Sequence, residues 1–148
     1  MYKRQVWDCA WLQNGGVDLA RDIDGAQYAA DHSDPRIKAV AAIDPALAQA
    51  YSSESIAAID MPVQLLNLGD TPQGVDSFAF GADFPQGHIH VVEDAIHFSF
   101  LAECTRMGPL VISASGEEPI CTDLGTRSRG DIHSEIAAQI GTFFVENL

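Results

Sequence analysis

The sequence is poor in positive charge. Lys and Arg number eight against 21 Asp and Glu, for a formal net charge of −13. A chain this acidic repels phosphate backbones and anionic lipid surfaces, so nucleic acid is not an expected partner. The acids are scattered rather than blocked and read as a solvated surface. Long apolar runs are also missing. None approaches the ~20 residues of a bilayer span, and no signal-peptide pattern stands at the N-terminus. Cysteine is scarce and odd in number: Cys9, Cys104 and Cys121, with no CxxC and no zinc-like spacing. Cys104 and Cys121 bracket a Gly/Pro/Ser-rich segment, and the pair reads either as a disulfide in an exported protein or as reduced thiols in a cytosolic one. That leaves the compartment open, cytoplasmic or exported. Gly15-Gly16 and Gly69 form no phosphate-binding pattern, there is no internal repeat, and no cofactor is expected.

What is present suits a globular fold. The 148 residues are 47% hydrophobic and 8% aromatic, enough for one domain or part of one. The first five, MYKRQ, match the translation of a transposase sequencing adaptor read from a GTG start. Residues 1–5 are therefore expected to be a scar and are set aside, with the natural protein continuing upstream. Residues 6–34 have poor periodicity and read as a loop with helical turns, with Trp7, Trp11 and Leu12 as apolar anchors in core or lid packing. Asp34-Pro35 marks a turn.

Residues 35–148 alternate. IKAVAAID (37–44) is apolar apart from Lys38 and its closing acid, as expected of a strand covered on both faces. A helix is expected around Ala46–Tyr51, with another turn near Ser55–Ile59. VQLLNLGD (63–70) is a second buried strand. TPQGVDSFAFGADFP (71–85) reads as a loop carrying a short helix, and HIHVV (88–92) as a third strand. A helical turn is expected over Phe98–Glu103 and an irregular excursion over 105–125. Ile132, Ile136, Ala137, Ile140, Phe143 and Phe144 recur every three or four residues, marking a closing amphipathic helix with Asp131 as N-cap and Glu135 in its first turns. Strand–helix alternation of this kind predicts an α/β fold with a parallel sheet.

In such sheets ligands bind at the carboxyl ends of the strands. Asp44 stands there after the first strand, Gly69-Asp70 after the second, and Glu93, Asp94 and His97 after the third. A carboxylate and an imidazole so placed can meet in space although far apart in sequence, and such a pair is the acid–base half of a catalytic triad. Other readings are available. His97 lies between Ile96 and Phe98 and reads equally as a packed histidine, in a non-catalytic α/β binding module. Asp44 followed by Pro-Ala-Leu also reads as a helix N-cap. His88 and His90 face the same way on a strand and with His97 suggest a metal site, although no further ligand has a recognisable spacing, so no metal is expected.

DPRIKAVAAIDPAL, MPVQLLNLGD and HVVEDAIHFSFL together resemble the last three strands of an α/β-hydrolase, closest to the dienelactone hydrolase and platelet-activating-factor acetylhydrolase-like esterases. The resemblance covers roughly residues 34–148. It implies a three-layer α/β/α fold, present here as its C-terminal portion, and hydrolysis of a small carboxylic ester. It implies His97 as the base and, as its acid, Asp44 after the strand Ile37–Ile43. Asp70 is the alternative acid, because many α/β-hydrolases place it one strand later. The family's G-x-S-x-G nucleophile elbow has no counterpart here: ISASGEE around Ser113 and Ser115 lacks the first glycine and a core strand before it. The nucleophile, serine or cysteine, is therefore expected upstream, residues 6–34 are expected to follow the elbow, and the chain alone is expected to be inactive. The oligomeric state is left open.

Overall fold

A computed structural model describes residues 10–45, 51–69, 84–117, 119–123 and 125–148, without the Ala20 side chain. The chain divides into two compact units, Met1–Pro35 and Arg36–Leu148. In the first, residues 10–14, Leu19–Asp22 and Gly25–Tyr28 are helical. Asp24 caps the last of these by accepting from the backbone N–H groups of Ala26 and Gln27 at 3.0 and 3.1 Å. Helical turns in a loop are thus present as expected. The anchoring role expected of Trp11 is not: its side chain is 75% exposed. Trp7 lies outside the described residues.

The second unit carries a three-stranded parallel sheet in the order β1 (Val40–Ile43), β2 (Val63–Leu68), β3 (Gly87–Val92). Its register pairs Ile43 with Leu66, and Leu66 with His90. β1 begins three residues later than the apolar run suggests. Its first rung runs from Val40 N to Pro62 O, and because proline has no N–H the ladder has no donor at that position. Every residue of β2 is buried, which is the expected fate of a central strand with both faces covered.

Side chains alternate along β2 and so sort the core into two faces. Leu66 and Leu68 point to one side and join Val92, Ala95, Ile132 and Ile136, with Ile43 and Ile140 packed at the margin. Ile132, Ile136 and Ile140 belong to the long helix α3 (Arg129–Asn147), which packs on β2, β3 and the turn after β3. On the other side Val63 and Leu65 line a cleft of about 360 Å³ with Ile56 of α1 (Ser53–Ala57). The helix expected over Ala46–Tyr51 and the one in 71–85 fall largely outside the described residues. Residues 105–125 are less irregular than their composition suggests, because Gly108–Ala114 forms α2, with proline in its first turn. Cys104 and Cys121 are joined by a disulfide.

The N-cap of α3 is Ser128, not Asp131. The Ser128 hydroxyl accepts from Asp131 N at 3.1 Å and donates to Asp131 Oδ2 at 2.7 Å, so Asp131 supports the cap from the third helical position. No helix among the described residues is long and apolar enough to cross a membrane.

Candidate active site

The carboxyl edge of the sheet assembles the site. β1 makes its last rung from Asp44 N to Leu66 O at 2.7 Å. Asp44 then takes φ +44, a left-handed conformation that short polar side chains tolerate better than most. The bend leaves its side chain 94% buried over the end of β2. There Oδ1 accepts from Leu68 N at 3.3 Å and Oδ2 meets His97 Nδ1 at 2.6 Å. A carboxylate only accepts, so Nδ1 carries a proton, and in the neutral imidazole Nε2 then keeps its lone pair.

His97 opens a four-residue 3-10 turn, His97–Phe100. Ile96 before it is extended, and Ser99 locks the turn: its N–H donates to Ile96 O at 2.7 Å, and its hydroxyl accepts from Ile96 N at 2.8 Å. The imidazole is half exposed and meets Phe98 and Phe100 edge-on, with ring centroids 5.5 and 5.6 Å away. Such edge-to-face contacts hold a ring plane without consuming a polar atom. The two phenylalanines fix the direction of the imidazole, and the aspartate fixes its tautomer.

Of the residues singled out from sequence, Asp44 and His97 are brought together. Asp70 lies outside the described residues. Glu93 and Asp94 are at the carboxyl end of β3: the Glu93 backbone carbonyl accepts from Arg127 at 3.0 Å, and the Asp94 carboxylate is turned to Thr126, accepting through Oδ2 at 3.0 Å. His88 and His90 do share a face, but they do not converge on one point. The His88 ring packs on Phe143 at 6.2 Å, and His90 Nε2 meets Glu135 Oε1 at 2.8 Å. Among the described residues no three His, Cys, Asp or Glu side chains are grouped to hold a metal ion.

The sequence reading missed the residues behind the turn: Ser99, Asp123, Arg129 and His133. Arg129 is buried, although arginine at the start of a helix normally reads as solvated, so no local signal marks it. Burial works to raise the Asp123 pKa. Hydrogen bonds from Arg129 and Ser99, with the charges of Arg129 and His133, outweigh it and hold the carboxyl below the usual aspartate range. No family model, no curated protein and no solved structure matches the chain.

Proposed function

We propose that the chain is the C-terminal portion of a serine-type α/β-hydrolase that cleaves small carboxylic esters, with His97 and Asp44 as base and orienting acid. The reading rests on one observation, the 2.6 Å contact of His97 Nδ1 with a buried carboxylate beside an Nε2 that has no hydrogen-bond partner among the described residues. The other bonded histidines engage the opposite nitrogen. Nε2 of His32, His90 and His133 meets Gln27 O, Glu135 Oε1 and Ser99 O respectively. Among the bonded histidines of the described residues, His97 alone engages Nδ1 and leaves Nε2, on a half-exposed ring, facing away from its carboxylate.

In the proposed reaction Nε2 removes the proton of a nucleophilic hydroxyl as that oxygen attacks the ester carbonyl. Asp44 steadies the imidazolium, which then returns the proton to the leaving alkoxide. The same Nε2 next deprotonates a water that attacks the acyl-enzyme, and the proton goes back to the nucleophile oxygen as the carboxylic acid leaves. The nucleophile, a serine (a cysteine if the chain follows the dienelactone hydrolases), sits on an elbow in a segment outside these 148 residues, as do the oxyanion donors. The three strands are then the last three of a larger three-layer α/β/α sheet.

Hydrolysis of p-nitrophenyl acetate tests the proposal. The 148-residue chain should give the buffer rate, and an amino-terminally extended product carrying the elbow should turn over. In that product Asp44→Asn and His97→Ala should each lower kcat by roughly 10⁴-fold or more. Turnover by the 148-residue chain that is lost in His97→Ala would place the nucleophile inside it. An extended enzyme indifferent to His97 would leave a non-catalytic α/β binding module.

A further inference from the structure

Behind the His97 turn lies a buried ion pair that the proposed chemistry does not use. Arg129, the first residue of α3, has a side chain only 6% exposed. Its Nε donates to Asp123 Oδ2 and its Nη2 to Asp123 Oδ1, each at 3.0 Å, which is a bidentate fork. The same guanidinium donates through Nη1 to Ala102 O at 3.3 Å and through Nη2 to Ile120 O at 2.9 Å. Those two carbonyls stand just before Cys104 and Cys121, so the disulfide closes the loop on which the arginine holds. Asp123 Oδ1 also accepts from the Ser99 hydroxyl at 2.7 Å, and one helical turn beyond Arg129, His133 Nε2 reaches Ser99 O at 2.9 Å. Ser99 is fully buried and belongs to the four-residue turn that His97 begins.

We infer that Arg129 and Asp123 are positioning residues for His97, acting through Ser99, with the Cys104–Cys121 disulfide as the clasp that keeps them in place. The inference rests on the functional reading above. Removing two charges from water offsets much of what their attraction gains, so a buried ion pair is a costly way merely to tie down a loop. A fork of fixed plane supplies direction instead. It fixes Asp123, Asp123 fixes the Ser99 hydroxyl, and Ser99 fixes the start of the turn from which His97 reaches Asp44.

The test follows the low-field Nδ1 proton of His97 in the ¹⁵N-labelled 148-residue chain, assigned by its loss in His97→Gln. Three perturbations are compared. Ser99→Ala removes one hydroxyl and little volume, and Arg129→Lys keeps the charge but not the fork. The third is reduction of the disulfide by dithiothreitol, which supplies two electrons and two protons, closes to its own cyclic disulfide and leaves two cysteine thiols. Solvent exchange of the His97 proton should accelerate about fivefold in Ser99→Ala, the shift expected from losing one ordinary hydrogen bond. Arg129→Lys and reduction should accelerate it further, while the β2 amides stay protected. Persistence of the proton with unchanged exchange under all three perturbations, even with lower melting temperatures, would make the network a fold clamp and overturn the inference alone. Absence of the proton from the unaltered chain would overturn the Asp44–His97 pairing and this inference together.

Discussion

Gly69→Ala is the substitution for which the structure gives the sharpest cost. Gly69 follows the last residue of β2 at φ +70, and a methyl group there would stand 2.2 Å from Ala95 O and 3.3 Å from the Ala95 carbonyl carbon. The obstacle is backbone, in a residue 96% buried within the core cluster, so it cannot swing aside as a side-chain tip would. The left-handed conformation costs about 1–2 kcal/mol for alanine, and overpacking adds about 1–3 kcal/mol. Reduced freedom of the unfolded chain returns only about 0.4–1 kcal/mol. The net loss is about 1–5 kcal/mol, on the order of 10 °C in Tm. Two other glycines separate the contributions. Gly116 ends α2 in a Schellman motif, with φ +69, and donates to Ser113 O while Glu117 N donates to Ile112 O. It has nothing within 4 Å of a new methyl, so Gly116→Ala isolates the backbone cost, about 1 kcal/mol. Gly141 lies inside α3 with equal space, and alanine there should stabilise by about 0.5–1 kcal/mol. Urea denaturation followed by circular dichroism reads all three. If Gly69→Ala proves no costlier than Gly116→Ala, the loop carrying His97 does not press on the end of β2, and the packing argument fails.

Two further outcomes follow from the same packing. Glu135 is held below the usual glutamate range first by its hydrogen bond with His90, against the opposing effect of burial, and then by Arg127 at 2.7 Å. A carboxyl with a lower folded than unfolded pKa contributes stability that is complete above the ordinary value, about 4.3, and is lost as pH falls through the lower folded value. Asp123 acts in the same direction. The Tm deficit of Glu135→Gln should therefore be full at neutral pH and close in acid, and a deficit constant down to pH ~2 would contradict it. Leu66, fully buried between β1, β3 and α3, should lose about 2–5 kcal/mol on truncation to alanine, whereas Val145→Ala on the exposed face of α3 should stay within about 0.5 kcal/mol in the same urea titration. Equal effects would mean that α3 is docked by another face.

What could be read from the sequence followed the range of each interaction. An unbroken apolar run marks a strand covered on both faces, and VQLLNL is one because β2 has neighbours on both edges and side chains buried on both faces. The run at 37–43 overshoots because apolar composition cannot register that a proline opposite removes a donor. Asp131 suggested itself as the cap because it immediately precedes the first apolar residue of the helical pattern. Ser128 does the work three residues before the cap that this pattern implied, and Arg129, which it brings into the first turn, points inward. α2 carried a signal that was passed over, a proline in a first helical turn, inside a segment whose glycines suggested only irregularity. Asp44 and His97 were legible because being at a strand end is itself a sequence property. Ser99, Asp123 and Arg129 were not, since each is ordinary in its local window and the three acquire meaning only when three separate segments meet.

The strand ends share a device that folds each following loop back over the edge of the sheet. β1 is followed by Asp44 at φ +44, β2 by Gly69 at φ +70, and β3, two residues on, by Asp94 at φ +57. A left-handed residue turns the chain sharply, so each loop folds back over the edge instead of running past it. That is how Ala95 comes to lie on Gly69 and how the Asp44 carboxylate reaches Leu68 N. For the backbone alone, glycine is the least strained choice at such a position, and β2 uses it. At Asp44 the chain accepts a conformation that costs a non-glycine residue about 1 kcal/mol or more and keeps a carboxyl group that glycine lacks. Strain of this kind persists where the surroundings over-determine it, and it concentrates at sites of function. Here the surroundings are the rung to Leu66, the Leu68 amide and the His97 ring. Two of these three contacts end on the side chain rather than the backbone. A turn that needed only to reverse the chain would have no use for them, and the proposed pairing of Asp44 with His97 depends on both.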